Sequence, residues 1–300
     1  MTVVVQITGG LGNQLFMYAA GRHLSLHHRT PLRLDISPFQ AYPLRGYLLD
    51  RFAIAQDLAT PEQVAALKSG ALAQAEQART GRWGIRGILS RRSRAGRGGV
   101  FRADDSLAGT YLPEMLRTPR EVYLQGYWQS EQYFKPSEGV IRADLRLRDE
   151  LSGENLSLAN SIRSTDAVSL HIRRGDYADN PHLSRLLGLL PLDYYYRAAR
   201  TVAATLSSAH FFVFSDDPDW AKDNLQLGLP VSFVSHNGPA AAHEDLRLMS
   251  LCRHHIIANS SLSWWGAWLC EHTSKIVIAP SRWFAQVPMP DIIPAGWLRL

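Results

Sequence analysis

A chain of 300 residues with 20% charged and 46% hydrophobic residues suits one large α/β unit or two domains of about 150 residues each, and excludes disorder, collagen and coiled coil. Cys252 and Cys270 are the only cysteines and lack CxxC spacing, so a disulfide framework or zinc site is not expected; both read as packing residues of a reducing compartment. The formal net charge of +5 is local, because eight arginines and no acidic residue stand between Arg79 and Arg102; no nucleic-acid partner is expected from so confined an excess.

The first predicted strand runs to Thr8. It is followed by the turn Gly9-Gly10-Leu11-Gly12, a helix from about Asn13 through His28, and a second strand at 32 to 36. The pattern then decays through a helical stretch, residues 61 to 79, and an arginine- and glycine-rich loop, residues 79 to 102, before a strand signal returns at 121 to 128. Ser152, Gly153, Asn155, Ser157 and Asn160 break the pattern, which sets a domain boundary near 150 to 165. Beyond it, apolar runs at 167–172, 210–215, 231–235, 254–258 and 275–279 alternate with helical segments at 193–206, 218–225, 244–252 and 261–270. Such alternation implies βαβ units and a parallel, Rossmann-like sheet. The start lacks a basic and apolar leader, and no run of eighteen apolar residues occurs; the chain is expected to be cytoplasmic, neither exported nor membrane-spanning.

The chemistry concentrates where strands end. His171-Ile172-Arg173-Arg174-Gly175-Asp176-Tyr177 sets two guanidinium forks directly after a buried strand, and ligands of open α/β sheets bind outside the carboxyl ends of their strands. Paired surface arginines are more often solvated or salt-bridged than functional, so the reading depends on three further segments. Gly9 to Asn13 joins strand to helix, so that its backbone can approach a ligand and the helix offers free amides; it is not a dinucleotide GxGxxG, and a plain tight turn is the competing reading. Phe214-Ser215-Asp216-Asp217-Pro218-Asp219 ends a strand in carboxylates that suit either a cation in an Asp-x-Asp arrangement, hydrogen bonds to a nucleoside, or a helix cap. Asn259-Ser260-Ser261 opens a helix with hydroxyls and amides suited to phosphate, while Trp264 and Trp268 share a helix face and read as core.

Five segments, GGLGNQLF (Gly9 to Phe16), QGYWQSEQYF (Gln125 to Phe134), HIRRGDY (His171 to Tyr177), FSDDP (Phe214 to Pro218) and LMSLCRHHIIANSSLSWWGAWL within Asp245 to Leu269, carry a resemblance to the α-1,2-fucosyltransferases of glycosyltransferase family 11. The chain is similar to the bacterial members, which lack the N-terminal membrane anchor of the mammalian ones. The resemblance implies a GT-B enzyme with two Rossmann-like domains facing a cleft: residues 1–155 on the acceptor side and 156–300 holding GDP-β-L-fucose. It implies inverting transfer of L-fucose to the 2-hydroxyl of a terminal galactose in O-antigen or another surface glycan, with no metal or other cofactor. Arg173, Asp176 and His171 are then the catalytic candidates, Arg173 as the pyrophosphate clamp, with Arg174 in the same motif, Asp216 and Asp217 by the nucleoside, and Asn259, Ser260 and Ser261 by the phosphates. Gly10, Gly12 and Asn13 lie across the cleft, with Asn13 near the sugar. The base is open among Asp176, Asp179 and Glu244, and Asp176 is equally readable as a structural partner of an arginine.

Two other readings stand beside this one. In a metal-dependent GT-A transferase, Asp217 and Asp219 would hold a cation, but the arginine pair and glycine turn would have no task. A non-catalytic glycan- or polyanion-binding protein would draw on the arginine loop and the aromatics, but would leave the coincidence of anion-suited strand ends unexplained. The composition of residues 79–102, with Trp83, Ile85, Ile88 and Leu89 among the arginines, matches a peripheral contact with an anionic membrane, useful if the acceptor is lipid-linked; its glycines equally suit a solvated, flexible loop.

Overall fold

The computed structural model describes residues 1–41, 46–54, 57–69, 99–175, 178 and 180–300. Its first sheet contains β1 (Val3–Gln6), β2 (Leu32–Asp35), β3 (Gly99–Arg102) and β4 (Val122–Gln125), all parallel in the order β2-β1-β4-β3. Helix α1 (Leu11–His28) packs on one face of this sheet, and α2 (Pro38–Ala41) and α3 (Glu138–Asp144) lie along the chain around it. A helical stretch, residues 61–69, covers the other face through Leu67 and Tyr123.

The second unit opens with α4 (Gly153–Arg163). It continues through β5 (Asp166–Ile172), α5 (Pro181–Leu187), α6 (Leu192–Ala203), β6 (Ala209–Ser215), α7 (Pro218–Asn224) and β7 (Val231–Val234). The chain then forms α8 (Ala242–Leu251), β8 (His254–Ile256), α9 (Ser261–Leu269), β9 (Val277–Ala279) and β10 (Leu298–Arg299). Its sheet is parallel, in the order β10-β9-β8-β5-β6-β7. Central β5 is buried along both faces, as a strand covered by helices on each side must be, which is why its sequence is an apolar run and not an alternation. Val168, Leu170 and Ile172 meet α6 and α7 on one face; Ala167, with Phe212 and Phe214 of β6, meets α4 and α8 on the other.

Four features depart from the sequence expectation. Residues 99–102, read as the end of the arginine loop, form edge strand β3 beside β4; four residues are too short to show a period. Of the residues read as a break at 150–165, Ser152 is the N-cap of α4 and Gly153, Ser157 and Asn160 lie on its exposed face, while Asn155 is half-buried against Asn237 and His236; Ala159 and Ile162 are buried against the second sheet, and the expected boundary at 155/156 falls inside this helix. Residues 181–187 are helical where no helix was expected. Finally, α9 and the chain from Trp283 to Trp297 pack into the core of the first unit. Gly109 O accepts from Asp291 N at 2.9 Å, and Asp291 Oδ2 accepts from Tyr111 N at 2.8 Å. Residues 79–98 of the arginine-rich segment lie outside the described residues, as do Asp176, Tyr177 and Asp179.

The tryptophan run of α9 therefore joins the units. Phe16 of α1 lies 4.5 Å from the Trp264 ring and 5.1 Å from the Trp265 ring, and Phe134 stacks on Trp265 at 5.3 Å. Trp264 donates its indole N–H to Ile292 O at 2.6 Å, and Trp268 donates to Glu131 Oε2 at 3.2 Å. Both indoles are core, as expected from their spacing. Cys252 and Cys270 are buried free thiols, each pushed up chiefly by burial.

Candidate active site between the sheets

Strand register assembles the charged edge. Ile172 of β5 stands opposite Ser215 of β6, and Leu170 opposite Ile256 of β8. Continued in register, the chain brings Arg173 beside Asp216 and Asn259. Arg173 Nη1 lies 2.8 Å from Asp216 Oδ2, and Asp216 Oδ1 accepts the backbone N–H of Arg174 at 2.8 Å. This contact needs the glycine that follows the arginines, since a Cβ at Gly175 would collide with the Asp216 carboxylate. Arg174 is held elsewhere: its guanidinium lies 3.7 Å over the Trp220 ring and its Nε 3.4 Å from Asp217 Oδ2. Asp217 also caps α7 by accepting from Trp220 N at 3.3 Å, one of the three roles open to it in the sequence.

His171 sits one turn of the pleat below, 4% exposed, with Nδ1 buried and unpartnered. Burial, and after it the charge of Arg173, push its pKa down to about 3, so the imidazole is held neutral near pH 7, which counts against a proton-carrying role for this catalytic candidate. Asn259 is 2% exposed and acts as a clamp, its Nδ2 donating to Leu187 O at 3.1 Å and Gly188 O at 3.0 Å. Ser260 stands at the N-cap of α9 without a side-chain cap bond, which leaves first-turn amides for an anion.

Facing this edge is the glycine turn of the first unit. Gly10 is the N-cap of α1 and its carbonyl accepts from Asn13 N and Gln14 N at 3.0 and 3.1 Å. A Cβ at Gly12 would collide with the backbone of Ser261 and Leu262, so the two helix starts touch and the turn 259–261 lies against Gly12. Asn13 Oδ1 accepts from Gln129 Nε2 at 2.8 Å. Gln14 is fully buried and ties Gly9 O, Gly46 O and Leu48 N together at 2.9 to 3.0 Å.

The structure thus brings Gly12 against Ser261, with Gly10 and Asn13 in the same turn and Ser260 at the same helix start, and sets Arg173, Arg174, Asp216, Asp217 and Asn259 along the strand ends of the second sheet. Glu244 stands on α8 against Arg247 at 3.4 Å and His243 at 3.7 Å. Asp219 is 92% exposed and 3.8 Å from Lys222, so it does not converge with the capping Asp217. Sequence reasoning missed Gln129 and Trp220, although both stand inside or beside quoted motifs; their roles come from partners 116 and 46 positions away, with no local signal. A cavity of ≈ 320 Å³ lined by Phe52, Arg142, Leu147, Arg247 and Glu271 contains none of these strand-edge residues.

Two parallel Rossmann-like sheets meeting at their carboxyl edges give the chain the GT-B architecture. The description Glycosyl transferase family 11 matches residues 105–298, and the chain belongs to that family. It is 31% identical over 305 residues to an alpha-1,2-colitosyltransferase of Escherichia coli, covering 99% of this chain and 98% of the relative. It is 31% identical over 319 residues to the O-antigen biosynthesis glycosyltransferase WbnK of Escherichia coli, covering 98% and 99%. Human galactoside alpha-(1,2)-fucosyltransferase 1 is 28% identical over 163 residues, which is 51% of this chain and 44% of that protein. In fold, the chain is similar to a mutant of Arabidopsis thaliana FUT1 in complex with GDP, with a TM-score of 0.54 at 13% identity over 98% of this chain and 74% of that one. No helix among the described residues is long and apolar enough to cross a membrane.

Proposed function

We propose that this enzyme transfers L-fucose from GDP-β-L-fucose to the 2-hydroxyl of a terminal galactose, with inversion and without a metal, in the synthesis of O-antigen or a similar bacterial surface glycan. The observation that carries the reading is the edge at which Arg173, Asp216 and the 259–261 turn stand side by side, opposite the uncharged turn Gly9–Asn13. On nucleophilic attack the galactose O2 forms the new bond to C1 of the sugar while the C1–O bond to the β-phosphate breaks. The hydroxyl proton passes to a base, and negative charge grows on the pyrophosphate. Arg173 and the α9 amides stabilise that charge; losing one such donor costs about 3–4 kcal/mol. Asp217 as a helix cap and Asp219 in solvent favour this metal-free design over a paired-aspartate cation site. Asp176 is the first candidate base, followed by Asp179 and Glu244. His171, buried and neutral, supports the edge from below and transfers no proton.

The colitosyltransferase relative favours a second reading in which the donor sugar is colitose, which is fucose without its 3-hydroxyl. The test is a mass-spectrometric transfer assay with the full chain, GDP-fucose and GDP-colitose, and a panel of β-galactosides, with and without EDTA. Fucosyl transfer that persists in EDTA is expected. Transfer from GDP-colitose alone shifts the donor, and loss on chelation with recovery on manganese overturns the metal-free mechanism. A peripheral contact of residues 79–102 with an anionic membrane, useful for a lipid-linked acceptor and supported by their eight arginines, is part of the proposal, with a solvated loop as the competing reading. Equal sedimentation with anionic and neutral vesicles at low salt and at about 0.5 M salt would overturn that contact.

A further inference from the structure

The bend that follows β4 is unusual in three respects. Trp128 has φ 53, in the left-handed region, where a bulky residue is strained. Its indole Nε1 is buried without a partner, although buried polar groups are nearly always satisfied. Gly126, two residues earlier, has φ 154, and a Cβ there would press on Ala103 and the Trp128 ring at 3.1 Å. The indole is 1% exposed and wedged between Phe101 and Tyr133, so it touches no ligand itself.

What this costly bend accomplishes is the seating of the next residue. Gln129 is 6% exposed, its backbone N–H is fixed by Ala108 O at 2.8 Å, and its side-chain Nε2 reaches Asn13 Oδ1 at 2.8 Å. Asn13 stands in the first turn of α1, one residue after Gly12 touches the Ser261 backbone. A carboxamide has two orientations that differ only in where they place a donor and an acceptor. With Oδ1 taken by Gln129, Asn13 keeps Nδ2 on the Gly9 side of the turn, where a Cβ on Gly9 would lie 3.1 Å from it.

We infer that Gln129 is a positioning residue for the transfer reaction: it locks the Asn13 amide so that Nδ2 donates to an oxygen of the sugar being transferred. This rests on the reading of the cleft as a GDP-sugar site. Strain of this kind persists where the surrounding structure enforces a functional geometry, and a small misplacement of such a group is enough to cost a large factor in rate.

The experiment is a double-mutant cycle on the full-length protein with the donor that the wild type uses. Gln129→Glu can only accept, so it reverses the Asn13 amide; Gln129→Met keeps the volume and removes the donor, and serves if the charged variant fails to fold. Each is expected to lower kcat/KM by about tenfold to a hundredfold, while the affinity for GDP alone, measured by calorimetry, stays within about twofold of wild type. In an Asn13→Ala background, Gln129→Met is expected to cost nothing further. A fully additive cycle, or GDP affinity falling in step with turnover, overturns the inference and makes Gln129 a structural residue. If the wild type turns over no GDP-sugar at all, the reading of the cleft fails and the inference falls with it; an active wild type with an additive cycle sinks the inference alone.

Discussion

The two carboxyl edges that face each other are built from opposite chemistry. The edge of the second sheet carries Arg173, Arg174, Asp216 and Asp217 in a web of ion pairs and a cation–π stack. The edge of the first sheet, Gly9 to Gln14 with Gln129, carries no charge and works through carboxamides and bare backbone. Charged donors suit a pyrophosphate and its developing charge, whereas neutral amides discriminate hydroxyl positions without attracting stray ions. In the proposed function one unit supplies electrostatics and the other orientation, across a joint made by α1 and α9.

The sharpest way to break that arrangement is to empty the joint between them. Trp264→Ala removes an indole with 0% exposure that touches Phe16, Trp265 and Trp297. It should destabilise the fold by about 3–5 kcal/mol, read as a fall in the denaturant midpoint. A midpoint like that of the wild type would mean that the units do not depend on this contact.

Next in size is the charged edge alone. Arg173→Lys retains charge but loses the two-pronged geometry, so kcat/KM should fall by at least about a hundredfold with the melting curve unchanged. An active lysine variant would make Arg173 a surface charge and move the clamp elsewhere.

Gly12→Ala tests the contact of the edges directly. Its Cβ meets backbone and not a flexible side chain, so relief requires α1 and α9 to part, at about 1–3 kcal/mol. Activity should drop more than stability, because Asn13 and the 259–261 turn move apart together. An alanine variant with both intact would mean that the helix starts are free to separate.

These residues also show how far the sequence could be read. The second sheet was legible because its central strands β5 and β6 are covered on both sides, so burial wrote itself as apolar runs at 167–172 and 210–215, whereas the exposed two-residue edge strand β10 left no such run. The strand ends were legible for the same reason, since Arg173, Asp216 and Asn259 each follow such a run. The first unit was harder: β3 has only four residues and sits at an edge, and the core around α1 is completed by α9 and by Ile292 and Ile293 from the far end of the chain. The pairing of Gln129 with Asn13 spans 116 positions and follows from a backbone bend that no propensity announces. Arg174 illustrates the converse: the motif placed it correctly at the edge, but only the structure shows it stacked on Trp220.

The smallest expected effect concerns pH: the amide edge Gly9–Gln14 has nothing to titrate, whereas the charged edge overlies buried His171, and away from the edges His23 and His28 of α1 are also pushed down, chiefly by burial. Burial, and after it Arg173, hold His171 at about 3 in the folded protein, against an ordinary value of 6.5. The unfolded chain therefore binds the extra proton between these values, so the stability it contributes is present above about 6.5 and lost as pH falls toward 3. Asp245 on α8 has the opposite sign: burial raises it from 3.8 to about 6, against a lowering hydrogen bond from Asn237. Its contribution is present below about 3.8 and is lost as pH rises through 6. Between pH 4 and 6 the two oppose each other. Asp245→Asn should therefore make the melting temperature climb more steeply with pH across that window, while His171→Asn should flatten the climb without abolishing it, because buried His255 is also pushed down by burial and then Lys275. Gln129→Met should leave the slope of the wild type untouched. Melting curves at half-unit pH intervals decide the matter: a slope unchanged in both the Asp245 and His171 variants would mean that neither group is held away from its ordinary value in solution, and that the charged edge tolerates protons as easily as the neutral one.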